Sequence, residues 1–143
     1  MIVSVIGAVV LVVVLAVATV IGFVLRRRNG TIRSAATEER HGWDLAGTAP
    51  GPDDRVLLLQ LSSPICTPCE RTREQLGALA AEHAGVRHVD VDIAERPEVA
   101  RALSVMRTPT TVAFDRTGTE LLRVGGVPRR DELIAALPLE ETA

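Results

Sequence analysis

The first 25 residues constrain this chain most strongly, because Met1–Leu25 contains no charged side chain and consists mainly of Val, Leu, Ile and Ala. At about 1.5 Å per residue, a helix of this length crosses a hydrocarbon layer of about 30 Å with some tilt. A surface helix of a soluble domain carries a polar face, and this segment has none. The sequence therefore predicts a transmembrane helix over residues 1–25.

The alternative for this segment is a cleaved signal peptide, which needs a positive start, a shorter apolar stretch and a small-x-small site near its end. No Arg precedes the run, and Ala16-Val17-Ala18 lies inside it. We therefore favour a retained anchor. Arg26, Arg27 and Arg28 follow directly, and loops rich in Arg stay on the cytoplasmic side. We expect a single-pass protein of the plasma membrane, with its N-terminus outside and its soluble part in the cytoplasm.

Residues 26–55 form a basic juxtamembrane segment followed by a stretch rich in Gly, Pro and charged residues. Such a composition is typical of loops, so we expect mainly a linker, with one short strand near Thr31–Ala35. Trp43 is the only Trp. We expect it to dock against the domain or at the membrane surface rather than to bind a ligand.

The pattern changes at residue 56, where one soluble domain is predicted to begin and to run to residue 143. Val56–Leu61 is a short apolar run typical of a strand buried on both faces. A helix is predicted from about residue 67 to residue 84, and Pro97 opens a second helix that ends at residue 105. Further strands are predicted at 86–92, 110–115 and 120–124, and a last helix at 130–137. This β-α-β-α-β-β-α order indicates an α/β fold, a mixed sheet flanked by helices.

Composition excludes several classes of function. The net charge is −2 with scattered basic residues, and aromatic residues make up 2% of the chain, so it lacks the basic surface that nucleic acids require. Two cysteines are too few for a disulfide framework. Zinc needs four ligands, and His41, His83 and His88 do not stand at ligand spacing. A metal shared across a dimer interface is the remaining metal alternative. A two-carboxylate hydrolase at Asp90 and Asp92 lacks partner groups.

The segment that joins the first strand to the first helix of the domain carries Cys66-Thr67-Pro68-Cys69. This placement puts Cys66 at a helix N-terminus, where free amide groups and the helix dipole stabilise a thiolate. The spacing allows Cys69, one turn further on, to attack a mixed disulfide on Cys66. Pro68 stiffens the turn. The pattern predicts a redox-active pair that forms the disulfide Cys66–Cys69, and two inert buried cysteines fit this setting poorly.

Thr108-Pro109 stands forty residues after Cys69, at the entry to a predicted strand. With the C-x-P-C motif, and with Gly118 and Gly125 in the last hairpin, this arrangement resembles the thioredoxin superfamily over about residues 56–137. The resemblance implies that a cis-proline loop formed by Thr108 and Pro109 lies against the dithiol and binds the substrate backbone.

A narrower resemblance rests on the run of residues 59–63 before the C-x-P-C motif, on Arg71 and Arg73 after it, and on Gly-Val-Pro-Arg at 126–129. With these features the chain is similar to small membrane proteins of the thioredoxin family of actinobacterial type.

Several positions depart from the thioredoxin pattern and are expected to modulate the chemistry. Ile65 replaces the usual Trp, and Thr67-Pro68 replaces Gly-Pro, which leaves the redox potential unassigned. The resemblance places a buried Asp at position 60, where this chain has Gln60. Gln cannot accept a proton at neutral pH. We therefore hypothesise that Asp90, or Asp92 as the less favoured candidate, assists Cys69 through water or through Gln60. The alternative is that Asp90 is simply solvated at a strand end.

The sequence thus predicts a membrane-tethered thiol-disulfide oxidoreductase that works through Cys66 and Cys69 without cofactor or metal. Its expected partners are protein disulfides or dithiols and a redox partner, and the membrane through residues 1–25. We expect a monomer that does not bind nucleic acid. The alternative function is a non-catalytic, membrane-anchored interaction module that keeps the fold and uses the loop at Thr108 and Pro109 as a peptide dock.

Overall fold

The computed structural model describes residues 2–28, 32–34 and 41–139. In these residues the order of strands and helices from residue 56 onward is the predicted one. In chain order the elements are α1 (Ile2–Arg28), β1 (Ile32–Ser34), α2 (Gly42–Ala46), β2 (Val56–Ser62), α3 (Thr67–Glu82), β3 (Val86–Asp92), α4 (Pro97–Ala102), β4 (Thr110–Asp115), β5 (Glu120–Gly125) and α5 (Arg130–Ala136).

The five strands form one mixed sheet in the order β1-β5-β4-β2-β3. β2 lies inside the sheet, parallel to β3 and antiparallel to β4. Every residue of β2 is buried, which confirms the prediction of a strand covered on both faces. β4 and β5 form the predicted hairpin, and β1 pairs with β5 as an antiparallel edge strand.

Alternation along the strands separates two apolar cores, one on each face of the sheet. The first lies under α3 and α5 and includes Leu58, Leu76 and Leu133. The second lies under α2 and α4 and includes Leu59 and Phe114. The mixed sheet flanked by helices that the sequence predicts is therefore confirmed.

α1 contains a stretch, Ile6–Val24, that is long and apolar enough to cross a membrane and is not buried within the described part of the chain. Length and composition alone are met by signal sequences as well. The fold thus includes one N-terminal apolar helix that can serve as a membrane span, as predicted.

The segment between α1 and β2 contains a strand and a helix where the composition predicts mainly a linker. Trp43 in α2 is buried in the core, and its indole Nε1 donates a hydrogen bond to the carbonyl oxygen of Asp115, 2.8 Å away. The prediction that Trp43 docks against the domain is confirmed. The predicted short strand is observed at Ile32–Ser34, while Thr31 and Ala35 lie outside the described residues. The Gly- and Pro-rich composition does not predict these elements, because contacts with distant residues hold them: Trp43 anchors α2 in the core, and pairing with β5 holds β1.

α4 ends at Ala102, three residues before the predicted end at Val105. Ser104 adopts a left-handed conformation with φ of 52°. The amide of Val105 donates to the carbonyl of Ala100 at 2.8 Å, a closing pattern typical of helix C-termini. The apolar periodicity continues past this point because Leu103 and Val105 still pack on the core.

Candidate active site

The loop between β2 and α3 places Cys66 at the N-cap of α3. The Sγ atom of Cys66 accepts a hydrogen bond from the amide of Cys69 at 3.2 Å. Pro68 occupies the first turn, where a missing amide proton costs no helical hydrogen bond. The free amides of this first turn favour negative charge on the sulfur of Cys66. The predicted setting of the pair is therefore present.

Cys66 and Cys69 form a disulfide, with 2.06 Å between the two sulfur atoms. Their exposure differs: Cys66 is partly exposed, whereas Cys69 is 1% exposed. A large substrate can therefore reach the sulfur of Cys66 but not that of Cys69. This asymmetry agrees with the predicted order, in which Cys66 attacks the substrate and Cys69 resolves the mixed disulfide, and that order stays a prediction.

The loop before β4 lies beside the loop that carries the disulfide. The peptide bond between Thr108 and Pro109 is cis. The hydroxyl oxygens of Ser63 and Thr108 lie 3.0 Å apart and share a hydrogen bond. The carbonyl oxygen of Pro109 accepts from the amide of Gly126 at 2.7 Å, which fixes this loop to the end of β5. Thr108 and Pro109 thus stand where a substrate-binding loop is predicted, and substrate binding by them stays a prediction.

Gln60 lies behind Cys69 and is fully buried. Its Nε2 donates to the carbonyl oxygen of Cys69 at 2.9 Å, and its Oε1 lies 3.1 Å from Nε2 of His88. An amide oxygen only accepts, so the Nε2 atom of His88 carries a proton and donates. Gln60 therefore connects the backbone of the resolving cysteine to an imidazole on β3.

His88 was not predicted as part of the site. Burial lowers the pKa of His88, the nearby Asp90 charge partly offsets this effect, and the Arg73 charge lowers the pKa further. The neutral imidazole is therefore favoured at neutral pH. The sequence carries only part of the signal: strand alternation places residue 88 on the same face as residue 90, whereas the register that pairs Gln60 with Asp90 is seen only in the structure.

The Asp90 carboxylate accepts hydrogen bonds from the hydroxyl of Ser62 at 2.6 Å and from Nε of Arg73 at 2.8 Å. Its side chain is 20% exposed and pairs with the Arg73 guanidinium. Gln60 uses its amide for Cys69 and His88 instead. Asp92 faces a turn, where its Oδ1 accepts from the amide of Ala94 at 2.8 Å. Asp90 is thus bound to α3 rather than simply solvated, and its assistance to Cys69 stays a prediction.

Thr67 and Pro68 are exposed at the start of α3, as is Arg71. Within residues 2–28, 32–34 and 41–139, no group of three or more His, Cys, Asp or Glu side chains is placed to bind a metal ion.

A mixed sheet that carries an N-cap C-x-x-C disulfide beside a cis-proline loop defines a thiol-disulfide oxidoreductase. The sequence model of the thioredoxin-like domain family matches residues 46–139. This chain belongs to the thioredoxin-like domain family.

Individual relatives agree with this assignment. Thioredoxin H2 of Arabidopsis thaliana is 31% identical over 91 residues, which are 64% of this chain and 67% of that protein. The prophage-derived thioredoxin-like protein YosR of Bacillus subtilis is 34% identical over 82 residues, 56% of this chain and 96% of that protein. Among solved structures, Fasciola hepatica thioredoxin is 28% identical with a TM-score of 0.52, over 58% of this chain and 78% of that one.

Proposed function

We propose that this chain is a membrane-tethered thiol-disulfide oxidoreductase that exchanges disulfides with protein substrates. The observation that carries the proposal is the disulfide between accessible Cys66 and buried Cys69 on a chain whose N-terminal helix can span a bilayer. In the reducing direction, the Cys66 thiolate attacks one sulfur of the substrate disulfide and releases the other as a thiolate. Cys69 then attacks Cys66, the substrate leaves as a dithiol, and two electrons have passed to it.

The proposed organisation assigns residues 1–25 to the transmembrane helix, 26–55 to a basic juxtamembrane segment that includes β1 and α2, and 56–143 to the thioredoxin-like domain. The chain is of the small, membrane-anchored, actinobacterial type of thioredoxin-family protein, and the sequences of residues 59–63 and 126–129 support this placement. We propose that it is a monomer. Its partners are protein disulfides and a redox protein that recharges the pair, and nucleic acid is not a partner. Thr108 and Pro109 bind the substrate backbone, and Thr67-Pro68 tune the redox potential.

The rival function is a non-catalytic interaction module that uses the loop at Thr108 and Pro109. The full chain in detergent micelles, with dithiothreitol as electron source, is expected to accelerate the reduction of insulin disulfides well above the rate with dithiothreitol alone. Precipitation of the freed insulin chains measures the reaction. A rate equal to that of dithiothreitol alone would favour the module, because docking by itself transfers no electrons.

The basic run at Arg26–Arg28 supports a domain on the cytoplasmic side of the plasma membrane. A membrane-impermeant thiol reagent added to intact, briefly reduced cells is then expected to leave Cys66 unlabelled, and labelling is expected only after lysis. The matched control is a cysteine in a short polar tag fused before Met1, on the other side of the proposed span, in the Cys66→Ser/Cys69→Ser background. Labelling of Cys66 in intact cells would reverse the orientation.

Asp90 is proposed to assist Cys69 through water, as a positioning and electrostatic group. Its carboxylate bonds to Ser62, which ends β2, and to Arg73, which follows Cys69 on α3 by one turn. These two bonds fix the charge close to the first turn of α3. Gln60 contributes by holding the carbonyl of Cys69 through its amide.

Asp90→Asn keeps the shape of the side chain and removes its charge. The resolution of a preformed mixed disulfide on Cys66 is expected to slow by about 100-fold near pH 7, the lower end of the range for lost general-base assistance. The difference is expected to shrink as the pH rises toward 9, because hydroxide then competes with the carboxylate for the thiol proton. Stopped-flow release of a chromophoric thiol measures the rate. Asp92→Asn serves as control, and an unchanged rate in Asp90→Asn across pH 6–9 would exclude the role.

A further inference from the structure

The chain that leaves the apolar helix enters the sheet at the end that carries the disulfide. Ile32, the first residue of the edge strand β1, pairs with Val124 on β5. At the same level of the sheet lie Thr111 on β4 and Gln60 on β2. Gln60 stands two residues before the end of β2, after which the chain enters the loop of Cys66. The tether and the disulfide therefore share one end of the domain.

The tether is also short. Three residues, 29–31, separate the end of α1 at Arg28 from Ile32. A fully extended chain covers about 14 Å over the steps from Arg28 to Ile32, and the helical residues 26–28 add about 4.5 Å. With Leu25 at the edge of the hydrocarbon layer, Ile32 thus lies within about 20 Å of that edge.

The distances across and along the sheet show which end of the domain lies nearer to the point where the tether attaches. β1 and β2 are separated by three strand spacings, or about 14 Å. The opposite end of the sheet is about 20 Å further along the strands. The tether attaches at the end that carries Cys66, so this end is held within its reach, and the opposite end lies up to about 20 Å further from the attachment point. This attachment favours an orientation in which the disulfide lies at the membrane-proximal end of the domain.

Two apolar side chains project at this end. Within residues 41–139, the exposed large hydrophobic side chains are Ile65, which is 98% exposed, and Met106, which is 99% exposed. Ile65 precedes Cys66, and Met106 lies in the loop that leads to Pro109. Scattered exposed apolar residues are common, but these two stand on the two loops that flank the disulfide. An apolar rim of this kind fits a protein segment that emerges from a bilayer.

We infer that the substrate is a disulfide in an integral membrane protein, located close to the bilayer surface on the side of this domain. The inference rests on the proposed function and narrows its substrate class. Two electrons pass from the Cys66–Cys69 dithiol to that disulfide, which leaves as a dithiol, while Cys66 and Cys69 become the disulfide. A short tether raises the effective concentration of cysteines within its reach and excludes those beyond it.

The first experiment measures which end of the domain faces the bilayer. A single cysteine replaces either Ile65 or Ala84 in the Cys66→Ser/Cys69→Ser full chain, reconstituted into nanodiscs with acceptor dye on the lipid headgroups. Ala84 is exposed and lies just before β3, at the far end of the sheet. Energy transfer from a donor on residue 65 is expected to exceed transfer from a donor on residue 84. The strands between these two ends of the sheet place residue 84 about 20 Å further from the headgroup acceptors. Equal transfer, greater transfer from residue 84, or no transfer from either would overturn the inference.

The second experiment measures substrate choice in single turnover. The prereduced full chain is reconstituted with a transmembrane reporter peptide whose disulfide lies either next to its span or about 40 residues away on a flexible linker, about 35 Å from it on average. The near disulfide is expected to react about tenfold faster or more. A Gly-Ser insertion of about 20 residues after Gly30, which adds about 25 Å of reach, is expected to remove most of that preference. The same insertion after Ala143 lengthens the chain without lengthening the tether, so the preference is expected to remain.

Insulin reduction by each chain distinguishes failure of the proposed oxidoreductase function from failure of the inference about a membrane-protein substrate. Chains that reduce insulin but show no preference for the near reporter retain the proposed function and overturn the inference. If the wild-type chain does not accelerate insulin reduction, the proposed function itself is wrong. If acyl-chain quenchers extinguish a label at residue 65 and the two reporters react equally, the apolar rim contacts lipid rather than a protein substrate, and the inference is wrong.

Discussion

Cys66→Ser is expected to abolish insulin reduction by the full chain, with a loss of about three orders of magnitude or more, the scale on which removal of a nucleophile acts. The reason is the geometry of the pair. Cys66 is the accessible sulfur at the N-cap of α3, and Cys69 is buried behind it. A serine hydroxyl at residue 66 cannot form a disulfide, and the remaining thiol cannot reach a large substrate.

Cys69→Ser is expected to block a later step of the reaction than Cys66→Ser does. Attack by Cys66 still occurs, but the mixed disulfide has no internal thiolate to resolve it. The variant should therefore accumulate a covalent adduct with its substrate, visible as a shifted band on a non-reducing gel and lost on reduction. Cys66→Ser is the matched control and should form no such adduct. An adduct of equal yield through Cys69 in that control would contradict the assigned order of attack.

The predictable part of the site is local in sequence. The first apolar strand, the C-x-P-C turn and the helix that begins at Thr67 are adjacent along the chain, so their composition and spacing carry the information. Pro109 is distant from the dithiol, yet it is predictable through the resemblance to thioredoxins. The cis peptide bond between Thr108 and Pro109 and the hydrogen bond between Thr108 and Ser63 agree with that prediction.

The part that the sequence does not reveal depends on registers between strands. His88 reaches Gln60 only because β3 lies parallel to β2 in one particular register. The bonds that Asp90 makes to Ser62 and Arg73 depend on the same register and on the packing of α3. A shift by one residue would turn both side chains to the other face of the sheet. Side-chain types alone do not determine that register.

The pairing of β1 with β5 was also beyond the sequence, since a strand of three residues carries almost no periodicity. Its consequence is large, because this pairing determines the end of the sheet at which the chain from the apolar helix α1 joins the domain. The sequence identifies the apolar helix and the dithiol separately. Their arrangement at one end of the sheet follows only from the strand order.

Phe114→Ala is expected to destabilise the domain by about 3–5 kcal/mol, the usual cost of removing a buried aromatic ring. Phe114 is fully buried on β4 in the core under α2 and α4. Denaturant unfolding of the oxidised full chain in micelles measures the effect. Trp43 is a suitable fluorescent probe because it is the only Trp and is buried in the same core. Leu45→Ala, at a partly buried position of that core, is the control and should cost less.

A double-mutant cycle with Gly42 tests whether the ring itself fixes α2. A Cβ atom added to Gly42 would lie 2.1 Å from Cγ of Phe114, so Gly42→Ala alone should cost about 1–3 kcal/mol through overpacking. In the Phe114→Ala background the ring is absent, and the same change should be close to neutral. The two costs are therefore expected to be strongly non-additive. Simple additivity would mean that α2 does not rest on the ring, and that its other contacts, such as the hydrogen bond of the Trp43 indole to Asp115 and that of the Gly42 amide to Gly118, hold it against the sheet.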